Sequence, residues 1–134
     1  MKDFDRDKLM AMVHYIADAV PSARLGKVKL NKILWFSDRE MYLQAGDTIS
    51  GEVYLKFPYG PVPKHILGVI EDLENAGKLA VTKARIDKYE QYEYISLVDP
   101  DLSCFTAQEI DIIFRQITWI SPLTATDVSK ISHV

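Results

Sequence analysis

Residues able to do chemistry are few and widely spaced in this sequence. Its three histidines are His14, His65 and His133, and its one cysteine is Cys104. His14 and Asp18 stand one helical turn apart and could reach the same ion, but a metal site needs three or four ligands and no third is close. The pair reads as the solvated polar edge of a helix. Cys104 with a distant histidine is the sole Cys-His combination for a nucleophilic mechanism. Its flanks, Leu102, Ser103 and Phe105, are small or apolar, the setting of a buried structural thiol. There is no Gly-x-Ser-x-Gly elbow, Walker loop or Gly-x-Gly-x-x-Gly turn. Adjacent carboxylates such as Glu71 and Asp72 diverge on a helix. The expectation is a protein without catalysis, cofactor or metal, and a hydrolase using Cys104 or a histidine is remote.

Recognition chemistry is better represented. Arg24, Lys27, Lys29 and Lys32 cluster around the start of a helix, where cations oppose the macrodipole. Two readings stay open: a solvated face with local ion pairs to acids such as Asp18, or an anion-favouring surface for an acidic protein segment or nucleic acid. The run Tyr59-Gly60-Pro61-Val62-Pro63 is stiff, because two prolines fix φ. It serves either as a strand-to-helix turn with Tyr59 packed inward, or as a preordered loop that loses little entropy on docking. His65 follows it at a helix edge and could join a partner site.

The elements that position these residues follow from periodicity. Asp5 caps a first helix, with Phe4 and Leu9 spaced as a hydrophobic staple and Leu9, Met12, Val13, Ile16 and Val20 as its stripe. Pro21 ends it. The second helix spans Leu25 to Ala45, with Leu30, Ile33, Leu34 and Met41 inward and Gly46 as its cap. Trp35, Phe36 and Tyr42 widen its apolar arc, which marks it as the central helix. A strand from Glu52 to Phe57 alternates Val53, Leu55 and Phe57 with Glu52, Tyr54 and Lys56. Pro63 then opens a third helix running to Ala76, which buries Ile66, Val69, Ile70 and Leu73 and is capped by Gly77. From Lys78 to Val98 a hairpin sets Leu79 and Val81 against Ile95 and Leu97, with its tip at Asp87-Lys88-Tyr89-Glu90. Thr106 and Glu109 form a capping box for a fourth helix burying Ile110, Ile113, Phe114 and Ile117. Thr124 caps a short last helix carrying Val128 and Ile131.

The 134 residues, 48% hydrophobic and 26% charged, suit one globular domain. A net charge of −3 gives no global basic field for nucleic acid. The helix-turn-hairpin order after Pro63 is also that of a winged helix. Its recognition helix would carry Glu71, Asp72, Glu74 and Asn75, and these acids repel phosphates. Lys83 and Arg85 on the hairpin keep DNA binding open as the alternative. The charged first ten residues leave no signal core, and no apolar run reaches the roughly 20 residues of a membrane span. A cytoplasmic protein is expected.

Three elements occur in order: Lys29-Leu30-Asn31-Lys32-Ile33-Leu34-Trp35-Phe36, then Tyr59-Gly60-Pro61-Val62, then Ser132-His133. Together they resemble the Panacea domain of SocA-like antitoxins and phage-associated proteins, over most of the chain from Asp5 to His133. The resemblance implies neutralisation of a toxin encoded beside the antitoxin, by direct protein binding. In some members it implies a proteolytic adaptor that delivers the toxin to a ClpXP-type protease. The family continues past the histidine toward an acidic residue and a tryptophan, whereas this sequence stops at Val134: either the protein ends early there, a domain truncated after Ser132-His133, or that segment lies outside this sequence.

The fold expected is α+β, a mostly helical single domain over residues 1–134 with about five helices and one small antiparallel hairpin, winged-helix-like in part. The function expected is an antitoxin that binds a cognate toxin, with a winged-helix DNA-binding regulator as the alternative. The candidate partner-binding residues are Lys29, Lys32, Trp35, Tyr59, Gly60, Pro61, Val62 and His65.

Overall fold

Helix α1 (Arg6–Ala19) begins where its cap predicts: the Asp5 carboxylate accepts the Lys8 amide at 3.0 Å. The structure, a computed structural model, describes residues 2–86 and 88–131. The stripe Leu9, Met12, Val13, Ile16 and Val20 is buried in the core. His14 is buried with it and is no solvated edge. Its Nε2 lies 3.1 Å from Ser96 Oγ and 2.9 Å from the Val98 carbonyl, because the end of a strand covers that side of the helix.

Helix α2 (Ser22–Ala45) starts one turn earlier than expected and is broken at Gly26, whose φ of 62° and ψ of 166° favour a residue without Cβ. Gly46 closes the helix in the left-handed region as expected. The helix is central: it packs on α1 and on two of the helices and two of the strands that follow it. Its buried set includes Leu30, Ile33, Leu34 and Phe36, but also Asn31, Lys32, Ser37 and Asp38. Tyr42 is exposed rather than part of the buried arc.

Two antiparallel strand pairs follow, where the sequence suggested one. β1 (Tyr54–Phe57) pairs with β2 (Gly60–Pro63), Tyr54 opposite Pro63 and Phe57 opposite Gly60. The Tyr-Gly-Pro-Val run is therefore the turn and returning strand of a hairpin, not a strand-to-helix turn. Prolines are tolerated in β2 because Pro61 and Pro63 take the positions whose amides point away from β1. Helix α3 (Ile66–Asn75) accordingly starts after Pro63 rather than on it. Its expected face, Ile66, Val69, Ile70 and Leu73, is buried. Its end is a Schellman turn, with the Gly77 amide on the Glu74 carbonyl and the Lys78 amide on the Leu73 carbonyl, both at 3.0 Å.

β3 (Leu79–Ile86) pairs with β4 (Tyr89–Ser96), with Leu79 opposite Ser96 and Val81 opposite Tyr94. The inner face is therefore Leu79, Val81, Tyr92 and Tyr94, while Leu97 is exposed. This differs by one residue on the second arm from the expected pairing with Ile95 and Leu97, and a one-residue slip exchanges the faces of a strand. Residue Asp87 of the expected tip lies outside the described residues.

Helix α4 (Ala107–Ile120) carries both bonds of its capping box: Thr106 Oγ1 accepts the Glu109 amide at 3.1 Å and Glu109 Oε1 accepts the Thr106 amide at 2.9 Å. It buries Ile112, Ile113, Ile117 and Ile120, whereas Phe114, expected inside, is exposed. Thr124 caps α5 (Ala125–Ile131), on which Val128 is fully buried. Cys104, in the loop before α4, is exposed rather than buried. The architecture is α+β and mostly helical, with one hydrophobic cluster shared by the five described helices and the β3–β4 pair. No described helix is long and apolar enough to cross a membrane.

Candidate partner-binding site

The first hairpin is fastened to the helices by two carboxylates. Asp38 projects from α2, nearly inaccessible to solvent, and collects four donors. Its Oδ1 accepts the amides of Ile49 and Ser50 at 2.9 and 3.0 Å. Its Oδ2 accepts the hydroxyls of Ser50 and Tyr54, both at 2.6 Å. Burial pushes the Asp38 carboxyl up, against the downward pull of these donors. Burial and then the Asp38 charge hold the Tyr54 phenol well above its ordinary range. Glu52, also buried, reaches His65: Oε1 lies 2.7 Å from His65 Nδ1, and Oε2 accepts the His65 amide at 2.9 Å. The His65 ring stacks on Phe4, 4.1 Å between centroids and 11° from parallel. The hairpin is thus tied at its base to α2, to the start of α3 and to the chain entering α1.

This latch sets the facing of β1, which its alternation leaves open. Its polar side, Glu52 and Tyr54, points inward. Val53, Leu55 and Phe57 point out, 55%, 42% and 50% exposed, with Tyr59 at the tip 73% exposed. Gly60, at a φ of 116°, is buried beneath the turn, where the left-handed region favours glycine. Pro61 and Val62 are half-buried where β2 lies on α2.

The three candidate residues on α2 divide. Trp35, half-buried, stands three residues before Asp38 and so flanks the side to which the hairpin is tied. It meets Phe36 edge-on at 4.7 Å, and the Arg39 guanidinium lies over its ring at 5.8 Å. Lys29 turns toward α4, where its Nζ donates to the Ser121 carbonyl at 2.9 Å. A cation there favours the negative end of the α4 dipole. Burial, and then Arg24, push the Lys29 ammonium down. Lys32 is 1% exposed, its pKa lowered by burial, and its Nζ has no hydrogen-bond partner among the described residues. The basic cluster is therefore not one surface. Lys27 instead lies over the Tyr92 ring at 5.7 Å, with Lys83 over the same ring at 5.3 Å. Ser132 and His133 lie outside the described residues.

Sequence reasoning missed Asp38, Glu52 and Ser50. Asp38 had a signal: an acid one helical turn after Leu34, within the inward stripe of a helix read as central. Both carboxylates have each oxygen engaged by a protein donor, which is how they tie the hairpin down. No group of His, Cys, Asp and Glu that could hold a metal occurs among the described residues.

A small helical α+β domain with a latched hairpin and an outward apolar strand has the build of a binding module. The chain belongs to the antitoxin SocA-like family, Panacea domain, whose family profile matches residues 30–134. The match takes in the hairpin and most of α2, and leaves out α1 and Lys29. Membership supports an antitoxin role, which is a regulatory one, with a toxin as the partner. Comparison with curated proteins and with solved structures gives no match.

Proposed function

We propose that this chain, acting as one domain in the cytoplasm and without catalysis of its own, neutralises a cognate toxin by direct binding. The contact surface is the β1–β2 hairpin, from the outward side chains of β1 through Tyr59, Gly60, Pro61 and Val62, with Trp35 alongside. His65 supports it from its base through Glu52. The observation that carries this reading is the row Val53, Leu55, Phe57 and Tyr59, large apolar side chains held in water on a hairpin that is rigidly tied at its base. Such a row is costly to expose unless something covers it, and a stiff platform loses little entropy on docking. Delivery of the bound toxin to a ClpXP-type protease would follow, as in adaptor members of the family.

The test is co-expression with the toxin-like reading frame beside the gene. Tyr59→Ala should abolish rescue of growth while the melting temperature moves by no more than about 2 °C, since a tip residue this exposed contributes little to the fold. Rescue that survives in a folded variant places the contact elsewhere. The α3–β3–β4 order also favours a second reading, a winged-helix regulator. The outward residues of α3, however, are Leu67, Glu71, Glu74 and Asn75, and Asp72 is paired with Arg6 at 2.7 Å. Titration of a duplex from the gene's own promoter should show no binding near the roughly 10⁻⁸ M typical of specific regulators at physiological salt.

A further inference from the structure

The phase of the first hairpin gives its two edges different chemistry. The Lys64 amide donates to the Val53 carbonyl at 2.9 Å, and Leu55 stands opposite Val62 and Phe57 opposite Gly60. In an antiparallel pair these alternate positions exchange hydrogen bonds, so the positions between them turn their backbone groups outward. On β2 the outward positions are Pro61 and Pro63, which have no amide hydrogen, and that strand already lies on α2. On β1 they are Tyr54 and Lys56, each with an amide and a carbonyl facing away from β2. Among the described residues no backbone hydrogen bond reaches either of them from another element. One edge is closed to a further strand and the other is open.

Exposed edges are normally blunted by charge, proline or cover, because they recruit strands. Here proline closes β2, while β1 carries a single charge, Lys56, and adds an apolar row at alternate positions, Val53, Leu55 and Phe57. That combination is what strand addition requires: main-chain bonds for affinity and alternate side chains for specificity. The charge indicates the occupant. From Val53 to His65 the sequence has Lys56 and Lys64, both exposed, and no acid. A second copy of the hairpin would bring like charges together, whereas an acidic strand would be drawn in.

We infer that the outer edge of β1 is a strand-addition site, and that an extended, acidic segment of the toxin pairs with Tyr54 and Lys56 as the third strand of this sheet. The inference rests on the toxin-binding reading above and specifies its geometry.

The test uses the full chain with the protein encoded beside it, in two measurements. The first is amide hydrogen exchange of the wild-type chain, free and in complex. The Tyr54 and Lys56 amides should gain at least about tenfold protection on binding, while Leu55 and Phe57, already bonded to β2, change little. The second is affinity. Lys56→Pro removes one outward amide without touching a β1–β2 bond, and should weaken binding by about tenfold to a hundredfold. Lys56→Gln, which removes charge alone, should weaken it by no more than about threefold and less at high salt. A wild-type complex in which those two amides stay unprotected, or which folded Lys56→Pro forms as tightly as wild type, overturns the strand addition and leaves toxin binding standing. Protection of the same amides in the free chain at high concentration would make the occupant a second copy and also overturns it. Absence of any wild-type complex defeats both readings together.

Discussion

The two hairpins of this domain are held by opposite means. β3–β4 turns Leu79, Val81, Tyr92 and Tyr94 against the core, and its attachment comes mainly from apolar burial, with directed hydrogen bonds to the helices only at Ser96 and Gln91 among the described residues. That force is non-directional and grows with area, at roughly 25 cal/mol per Å². β1–β2 turns Glu52 and Tyr54 inward and is attached by short directed bonds to Asp38 and His65. Bonds to a charged group are worth about 1.5–3 kcal/mol each, yet the cost of leaving a buried partner unsatisfied is comparable. A hairpin fixed this way does not need the apolar side chains of Val53, Leu55 and Phe57 for folding. They are left on the outside, available to a partner. The difference explains how one small domain can combine a stable wing with a hydrophobic recognition edge.

The sharpest way to separate the two attachments is Asp38→Ala. It orphans the Tyr54 and Ser50 hydroxyls and the amides of Ile49 and Ser50 at once. The expected loss is about 2–4 kcal/mol by chemical denaturation. Hydrogen exchange should show the loss of protection concentrated in β1–β2, with β3–β4 close to wild type. Equal loss in both hairpins would mean that the latch stabilises the whole domain and the contrast is false.

Alkaline pH acts on the other attachment. Burial, and then Tyr92, push the Tyr94 phenol up to about 12. Between its ordinary value near 10 and that figure, the unfolded chain releases the phenolic proton while the folded chain keeps it. Stability contributed by this group is therefore complete below about pH 10 and is lost as pH rises toward about 12, at roughly tenfold in the folding equilibrium per pH unit. Tyr94→Phe should make denaturation curves between about pH 10 and 11.5 less steep in pH, by close to one proton. An unchanged slope would show that Tyr94 does not carry the dependence, and that Tyr54, also shifted upward, is the group to examine next.

How far these features were legible in the sequence depends on which force sets them. The caps were readable because they are local: Asp5 on Lys8, Thr106 with Glu109, Gly46 and Gly77. The apolar stripes of α1 and α3 were readable from helical spacing, but the burial of His14 on α1, under the end of β4, was not. Nor were the faces of the strands. Alternation shows that Val53, Leu55 and Phe57 share a side, but not which side is wet, and on β1 the inward side is set by acceptors outside the strand's own alternation, among them Asp38 on α2. On β4 the expected pairing was off by one, since Tyr94 rather than Ile95 is the buried member. Of the candidate site, Tyr59 and Trp35 were placed where a partner could reach them. Lys29 and Lys32 were drawn away by α4 and by burial, which no count of charges along a sequence reveals.

The smallest effect on folding should come from Phe57→Ser, and its value lies in the pairing with Leu79→Ser. Both replace a large apolar residue on a strand by the same small polar one. Leu79 is 2% exposed within the core, so its substitution leaves a cavity and buries a hydroxyl, at about 2–5 kcal/mol. Phe57 is half exposed and on the outer side, so its substitution should change stability by no more than about 0.5 kcal/mol. Toxin neutralisation should order the two variants the other way. Leu79→Ser, studied at a temperature where it is folded, should bind as wild type, because β3–β4 takes no part in the contact. Phe57→Ser should bind worse by about tenfold or more, having lost an apolar side chain from the pairing edge. Binding isotherms alongside denaturation of both proteins decide the matter. A Phe57→Ser variant that binds like wild type would show that the outward row serves something other than the toxin.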